Sequence, residues 1–263
     1  MLRALPLPFI YSFLVLGIGI TGISLNYNKA GLWPGAYLLV FCLFYAYYSI
    51  KHKNQYAKLG WGLIAALFAT AIGLHSFGSP SWKMTSLQLS DLSPIYPVYY
   101  NFDKLAIALI ILSLWDGMKG VKWRDSQIIP VFILGCFMTA TVGMAINYIA
   151  FDPKIVPIDF FAIWAFKNLF LVVLPEELFF RSFIQRELGK SHPLRAWAVA
   201  SFLFGIAHMG GGPYYVLLCT VAGSMYGWLY LRTGNIVIPI LAHFALNTIH
   251  LTLFTYPYLA VNR

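Results

Sequence analysis

Runs of about twenty predominantly apolar residues recur along almost the whole chain, and this feature limits the possible folds more than any other. Of 263 residues, 60% are hydrophobic and only 10% are charged, which is too few charges to cover the surface of a water-soluble domain. The sequence therefore predicts an all-α integral membrane protein, a polytopic bundle of eight or nine transmembrane helices. The candidate spans are roughly 6–25, 32–50, 59–78, 97–115, 127–149, 158–180, 194–211, 213–231 and 236–254.

The positions of the basic residues favour nine spans over eight. The fourth candidate span is interrupted by Asp103 and Lys104, but without it two large basic clusters would change sides. When the fourth span is included, most basic residues lie on one side of the membrane, as the positive-inside rule requires. We therefore expect a plasma-membrane protein with a cytoplasmic N-terminus. Because the basic residues lie in short clusters between spans, the net charge of +9 indicates membrane topology and not nucleic-acid binding.

The sixth candidate span carries two adjacent carboxylates, Glu176 and Glu177, followed by Arg181. A charged side chain inside a span costs about 2.5–3.5 kcal/mol on insertion scales, so such a group is by default a candidate functional residue. Glu177 and Arg181 are four residues apart and share a helix face, which predicts an ion pair. Glu176 is rotated by about 100° from its neighbour, so it is the candidate for a general base.

Three further polar residues lie in later spans. His208 ends the seventh, while His243 and Asn247 lie four residues apart on one face of the ninth. At about 1.5 Å per residue, Glu176, His208 and His243 lie about 15, 20 and 17 Å from the nearest inner basic residue. These side chains therefore have matched depths, and we expect them to meet near the middle of the membrane.

The residue types indicate hydrolysis by an activated water. No Ser or Cys lies beside a histidine in a recognisable nucleophile arrangement. Glu176 is placed to take a proton from water with the help of His208. His243 and Asn247 offer N–H donors to the oxyanion that forms on an attacked carbonyl group. The sequence thus predicts an enzyme that cleaves peptide bonds within the membrane.

Three motifs on successive spans resemble the CPBP family of intramembrane glutamic endopeptidases, which includes the CAAX prenyl protease 2-like and bacteriocin-processing proteins. The resemblance covers about residues 158–254. It implies a hydrolase without a cofactor or metal, acting on a membrane-embedded or lipid-modified substrate such as a prenylated tail, a leader peptide or a sorting tail. The motifs are Glu176-Glu177-x-x-x-Arg181, Phe204-x-x-x-His208 and His243-x-x-x-Asn247.

The resemblance also implies a role for each motif residue. Glu176 is the catalytic base with His208, and His243 and Asn247 form the oxyanion-binding pair. The other motif residues support the site. On this basis we divide the chain into N-terminal transmembrane helices without an assigned role, residues 1–125, and a catalytic helix bundle, residues 126–263. The supporting residues are Glu177, Arg181 and Phe204.

Two alternative functions remain open from the sequence. A zinc protease would use the glutamate and both histidines as ligands, although the chain has no HExxH motif. A transporter or membrane scaffold would use the same polar cluster to relay protons or to bind a partner. The sequence does not indicate the oligomeric state or the identity of the substrate.

Overall fold

The computed structural model describes residues 82–100, 122 and 124–260. From residue 83 onward, the described residues belong to one compact unit. The first three candidate spans, and the part of the fourth beyond residue 100, lie outside the described residues. The number of spans and the domain boundary at residues 125 and 126 therefore stay predictions.

The described part of the chain is mostly helical, as predicted. Two of its helices, Ile128–Ala145 and Ile158–Gly189, are long and apolar enough to cross a membrane. A short 3₁₀ turn, Met209–Gly211, connects the third helix to the fourth. The five helices of the described region are α1 (Ile128–Ala145), α2 (Ile158–Gly189), α3 (Pro193–Ile206), α4 (Pro213–Thr233) and α5 (Val237–Leu253).

The expectation of an all-α chain is wrong in one segment. Strand β1 (Trp82–Leu87) pairs with strand β2 (Tyr96–Tyr100) in a two-stranded sheet. Residues 97–100 therefore form a strand, although they were predicted to begin the fourth span. The segment Tyr-Pro-Val-Tyr-Tyr is rich in aromatic and β-branched residues that favour strands. A search for long apolar runs does not detect this preference.

Helix α4 lies at the centre of the bundle and packs against α1, α3 and α5, while α2 packs against α3 and α5. The crossing of α3 and α4 is close because α3 carries a glycine there. A Cβ atom at Gly205 would lie 1.9 Å from Thr220 Oγ1 and 2.7 Å from the Val216 carbonyl oxygen. This close approach fixes the end of α3 against α4, next to Phe204 and His208.

The two ends of the bundle differ in character. At one end, called here the sheet end, the strand pair packs onto the start of α2 and the end of α5. At the other end, the basic end, Arg232 forms an ion pair with Asp125 at 3.1 Å, and Lys190 forms one with Glu187. The buried core of the sheet end consists of Val98, Phe160, Trp164, Leu251 and Tyr256.

Helix α1 presents a row of large apolar side chains on its outer face. Ile129, Ile133 and Phe137 are 69%, 61% and 67% exposed, and they follow one another at four-residue intervals. Large apolar groups in such a row are costly in water but favourable against lipid hydrocarbon. Such a face is typical of a helix in contact with a bilayer.

Candidate active site

Glu176 and Glu177 lie midway along α2, in a short α-helical turn between two π-helical stretches, Lys167–Val173 and Leu178–Gln185. Pro175 precedes them and has no backbone N–H to continue the regular hydrogen-bond ladder. The wider π-helical winding is typical of functional sites within helices. Both carboxylates are buried there, inside the helix bundle.

Glu177 is held by two partners. Arg181 Nε donates to Glu177 Oε2 at 3.0 Å, which confirms the ion pair predicted from the four-residue spacing. His243 Nδ1 lies 2.9 Å from Glu177 Oε1. The side chains of Glu177 and Arg181 have no solvent exposure, and that of His243 is only 6% exposed. The contact between His243 and Glu177 connects α5 to α2 and was not predicted from the sequence.

Aromatic rings surround this buried group. The guanidinium carbon of Arg181 lies 5.1 Å from the ring centre of Phe204 and 6.0 Å from that of Tyr226. The imidazole of His243 stacks on Tyr226 with ring centres 4.4 Å apart and an interplanar angle of 17°. Aromatic faces attract cations, and the attraction strengthens where water is excluded. The rings therefore enclose both the guanidinium group of Arg181 and the imidazole of His243.

Glu176 faces a different histidine. Glu176 Oε2 lies 3.8 Å from His208 Nε2. The other ring nitrogen of His208, Nδ1, lies 2.7 Å from the Phe204 carbonyl oxygen, to which it donates a hydrogen bond. A proton on Nδ1 makes Nε2 an acceptor in the neutral ring. His208 itself lies just after α3 ends at Ile206, whereas the seventh candidate span was predicted to continue to residue 211.

Phe204 connects the two halves of the site. Its ring centre lies 4.7 Å from that of His208 and 5.7 Å from that of His243. The motif residue assigned a supporting role thus contacts both imidazoles as well as Arg181. Tyr215, at the start of α4, packs edge-on against His208 at 5.5 Å from the other side.

Asn247 lies one turn beyond His243 on α5, as predicted, but its observed hydrogen bond is to a residue without an assigned role. Asn247 Nδ2 donates to Asn168 Oδ1 at 3.2 Å. Asn168 lies in the first π-helical stretch of α2 and is buried. The sequence signal for Asn168 is a polar side chain inside an apolar run, but that signal does not indicate its partner 79 residues away.

The histidines and carboxylates of the site form two separate pairs. Within the described residues, no group of three or more His, Cys, Asp or Glu side chains is arranged to hold a metal ion. His250, a third histidine of α5, lies toward the sheet end, where its Nε2 is 3.1 Å from the Thr255 carbonyl oxygen.

The comparisons with known proteins agree with the motifs. Residues 158–249 match the family model of type II CAAX prenyl endopeptidase Rce1-like, and this segment contains every motif residue of the site. No curated protein matches the chain. No solved structure matches it. The family is one of membrane proteases, which agrees with the two membrane-capable helices. Over residues 158–249, the chain is therefore similar to the Rce1-like family of type II CAAX prenyl endopeptidases.

Proposed function

We propose that the protein is an intramembrane glutamic endopeptidase that hydrolyses a peptide bond in a membrane-associated or lipid-modified substrate. The observation that carries this proposal is the approach of Glu176 Oε2 to His208 Nε2, at 3.8 Å, inside a bundle whose family is proteolytic. This separation exceeds the usual length of a direct hydrogen bond, about 2.7–3.2 Å. It suits a water molecule that bridges the two atoms.

Glu176 and His208 would together activate that water. In the neutral tautomer, His208 Nε2 accepts one water hydrogen and a Glu176 oxygen accepts the other. The water oxygen attacks the scissile carbonyl carbon while Glu176 takes the proton. When the tetrahedral intermediate collapses, the C–N bond breaks and Glu176 returns the proton to the leaving amine. The carboxyl group is thus first a general base and then a general acid.

His243 and Asn247 would stabilise the oxyanion. Because His243 Nδ1 donates to Glu177, its Nε2 can donate to substrate only if the ring carries a second proton. A doubly protonated ring would have Glu177 Oε1 as its counter-charge and the face of Tyr226 beside it. Asn247 has a second N–H besides the one bonded to Asn168. Glu177 and Arg181 then act by holding His243 in place.

The substrate would reach this site from the bilayer. The apolar outer face of α1 favours contact with lipid, and the family implies prenylated membrane-protein substrates. A lipid anchor would keep such a substrate at the membrane and raise its local concentration near the site. We further propose a plasma-membrane location with the basic end cytoplasmic, and a substrate-docking role for the helices before residue 126.

Glu176→Gln tests this function, because glutamine keeps the shape of the side chain and removes the base. The purified full chain in lipid vesicles is given a fluorogenic farnesylated peptide that ends in a CAAX sequence. Since general bases contribute about 10²–10⁴-fold, kcat should fall by at least about 100-fold. The matched control is Glu187→Gln, because Glu187 lies on the same helix at the basic end. It should cleave as the unsubstituted protein does.

Two outcomes would contradict the proposal. Normal cleavage by the Glu176→Gln protein would exclude Glu176 as the base. Loss of activity after strong chelation, with recovery on addition of zinc, would replace the mechanism by that of a zinc protease. If the unsubstituted protein does not cleave the farnesylated peptide, a prenylated substrate is excluded. Comparative membrane proteomics of cells with the two proteins then tests the remaining substrates through an accumulating precursor.

A further inference from the structure

The hydrogen bond between Asn168 and Asn247 joins two helices beside the proposed oxyanion site. Asn168 Oδ1 accepts from Asn247 Nδ2 at 3.2 Å. Asn168 is only 7% exposed, and it belongs to a π-helical stretch of α2 that packs against α5. The preceding residue, Lys167, donates from Nζ to the Tyr96 hydroxyl of β2 at 2.8 Å. The backbone at Asn168 is therefore held by the strand pair as well as by the bundle.

The orientation of a carboxamide decides what it can offer a substrate. Rotation of the Asn247 side-chain amide by half a turn exchanges its oxygen, which only accepts, with its nitrogen, which only donates. While Asn168 holds its own oxygen toward Asn247, that rotation would bring two acceptor oxygens together. The observed pairing disfavours such a contact, so the Asn247 amide keeps its nitrogen toward Asn168 and its second N–H keeps one direction.

An oxyanion site requires this kind of preorganisation. A donor that is already oriented before reaction stabilises the developing charge without further reorganisation. A donor that samples two orientations stabilises that charge only during the time it spends in the correct one. The amide of Asn247 alone, one turn from His243 on a helix face, would have no such restriction.

We propose that Asn168 is a positioning residue, which orients the Asn247 amide so that one N–H points at the oxygen of the scissile carbonyl group. The inference rests on the proposed function and extends it to a residue outside the three motifs. Asn168 acts through Asn247 and does not touch the reacting atoms.

A double-mutant cycle tests this role, using Asn168→Leu, Asn247→Leu and the double variant in vesicles with the farnesylated fluorogenic peptide. Loss of an oxyanion donor costs about 10²–10³-fold in kcat, which we expect for Asn247→Leu. Misplacement of a retained group costs up to about 10²-fold, so Asn168→Leu should lower kcat by about 10–100-fold with KM little changed. The double variant should be no slower than Asn247→Leu alone, because Asn168 has no other route to the reaction.

Thr248→Val is the matched control. It also removes a polar group next to Asn247, but among the described residues the Thr248 hydroxyl donates only to the Phe244 carbonyl oxygen of its own helix. This variant should keep the kcat of the unsubstituted protein. The thermal unfolding temperature of each variant shows whether a loss of kcat reflects a loss of folded protein.

Two results would overturn the inference. One is an unchanged kcat in Asn168→Leu. The other is a double variant slower by the product of the two single losses, since independent effects multiply. If either occurs while Glu176→Gln is inactive, only the role of Asn168 fails. If Glu176→Gln remains active, the proposed function itself fails.

Discussion

Glu176 and Glu177 are successive buried residues of one helix, yet they differ in their partners and in how closely those partners approach. Glu177 has no exposed surface, and both of its oxygens lie within 3.0 Å of a nitrogen, one of Arg181 and one of His243. Glu176 faces His208 at 3.8 Å, and the His208 side chain is 18% exposed. A rotation of about 100° per residue is enough to separate a closed buried group from a more open pair.

The difference indicates how one helix can supply both a support and a reactive group. The closed group of Glu177, Arg181 and His243 holds its members by charge-assisted hydrogen bonds in a water-poor interior. In the open pair, Glu176 Oε2 and His208 Nε2 are 3.8 Å apart, close enough for one water molecule beside them to contact both atoms. In the proposed mechanism, the closed group fixes the geometry and the open pair performs the proton transfer.

The largest expected effect comes from breaking the closed group. Glu177→Gln leaves the Arg181 charge buried without its counter-charge, which costs about 3–5 kcal/mol in comparable buried pairs. The double variant Glu177→Leu/Arg181→Met removes both charges and should be more stable than Glu177→Gln. Unfolding in detergent micelles, followed by intrinsic fluorescence, measures these differences. A Glu177→Gln protein as stable as the unsubstituted one would mean that the closed group does not support the bundle.

The contrast between the two glutamates was partly predictable. The four-residue spacing of Glu177 and Arg181 predicted their pairing, because helix geometry fixes which neighbours share a face. It also predicted that Glu176 would point elsewhere. The pairing of His243 with Glu177 could not be predicted in the same way, because it depends on how α5 is rotated against α2, which is set by the packing of the whole bundle.

Other features of the structure were not predicted from the sequence, for identifiable physical reasons. The strand pair was hidden because windows of about 20 residues average a five-residue strand with its neighbours. The π-helical stretches beside Pro175 do not follow from apolar periodicity, since that pattern assumes regular 3.6-residue turns. The contact of Asn168 with Asn247 depends on how α2 and α5 are aligned along their length. That alignment cannot be read from the sequence of either helix.

A smaller effect is expected from a substitution in the open pair, and it should appear in kcat and not in stability. His208→Gln removes the acceptor that faces Glu176, so kcat for the farnesylated peptide should fall by about 100-fold, at the lower end for general acid–base groups. The unfolding temperature should stay unchanged, because the His208 side chain is partly exposed and lies beyond the end of α3 at Ile206.

His192→Gln is the control for this histidine, since His192 is exposed at the start of α3. It should alter neither kcat nor stability. A His208→Gln protein that loses stability as much as Glu177→Gln would remove the distinction between a supporting group and a reactive pair.

The smallest effect is expected from breaking a second carboxylate ion pair, which lies outside the bundle interior. Asp152, in the connection between α1 and α2, accepts from Lys154 Nζ at 2.9 Å. Burial raises the pKa of Asp152, but hydrogen bonds from Ser90 and Lys154 and the charge of Lys154 together lower it below its ordinary value. Its stabilising contribution is therefore present at neutral pH and is lost as pH falls through this lowered pKa.

Asp152→Asn should consequently lower the free energy of unfolding at neutral pH by less than about 1 kcal/mol, as for other ion pairs near the surface, and leave kcat unchanged. The difference from the unsubstituted protein should shrink as the solution becomes strongly acidic, because both proteins then carry an uncharged group at this position. Thermal unfolding across a pH series measures the difference directly. A loss as large as that of Glu177→Gln would show that charge pairing alone, and not burial within the helices, accounts for the stability assigned to the closed group. A difference that grows in acid would contradict the lowered pKa of Asp152.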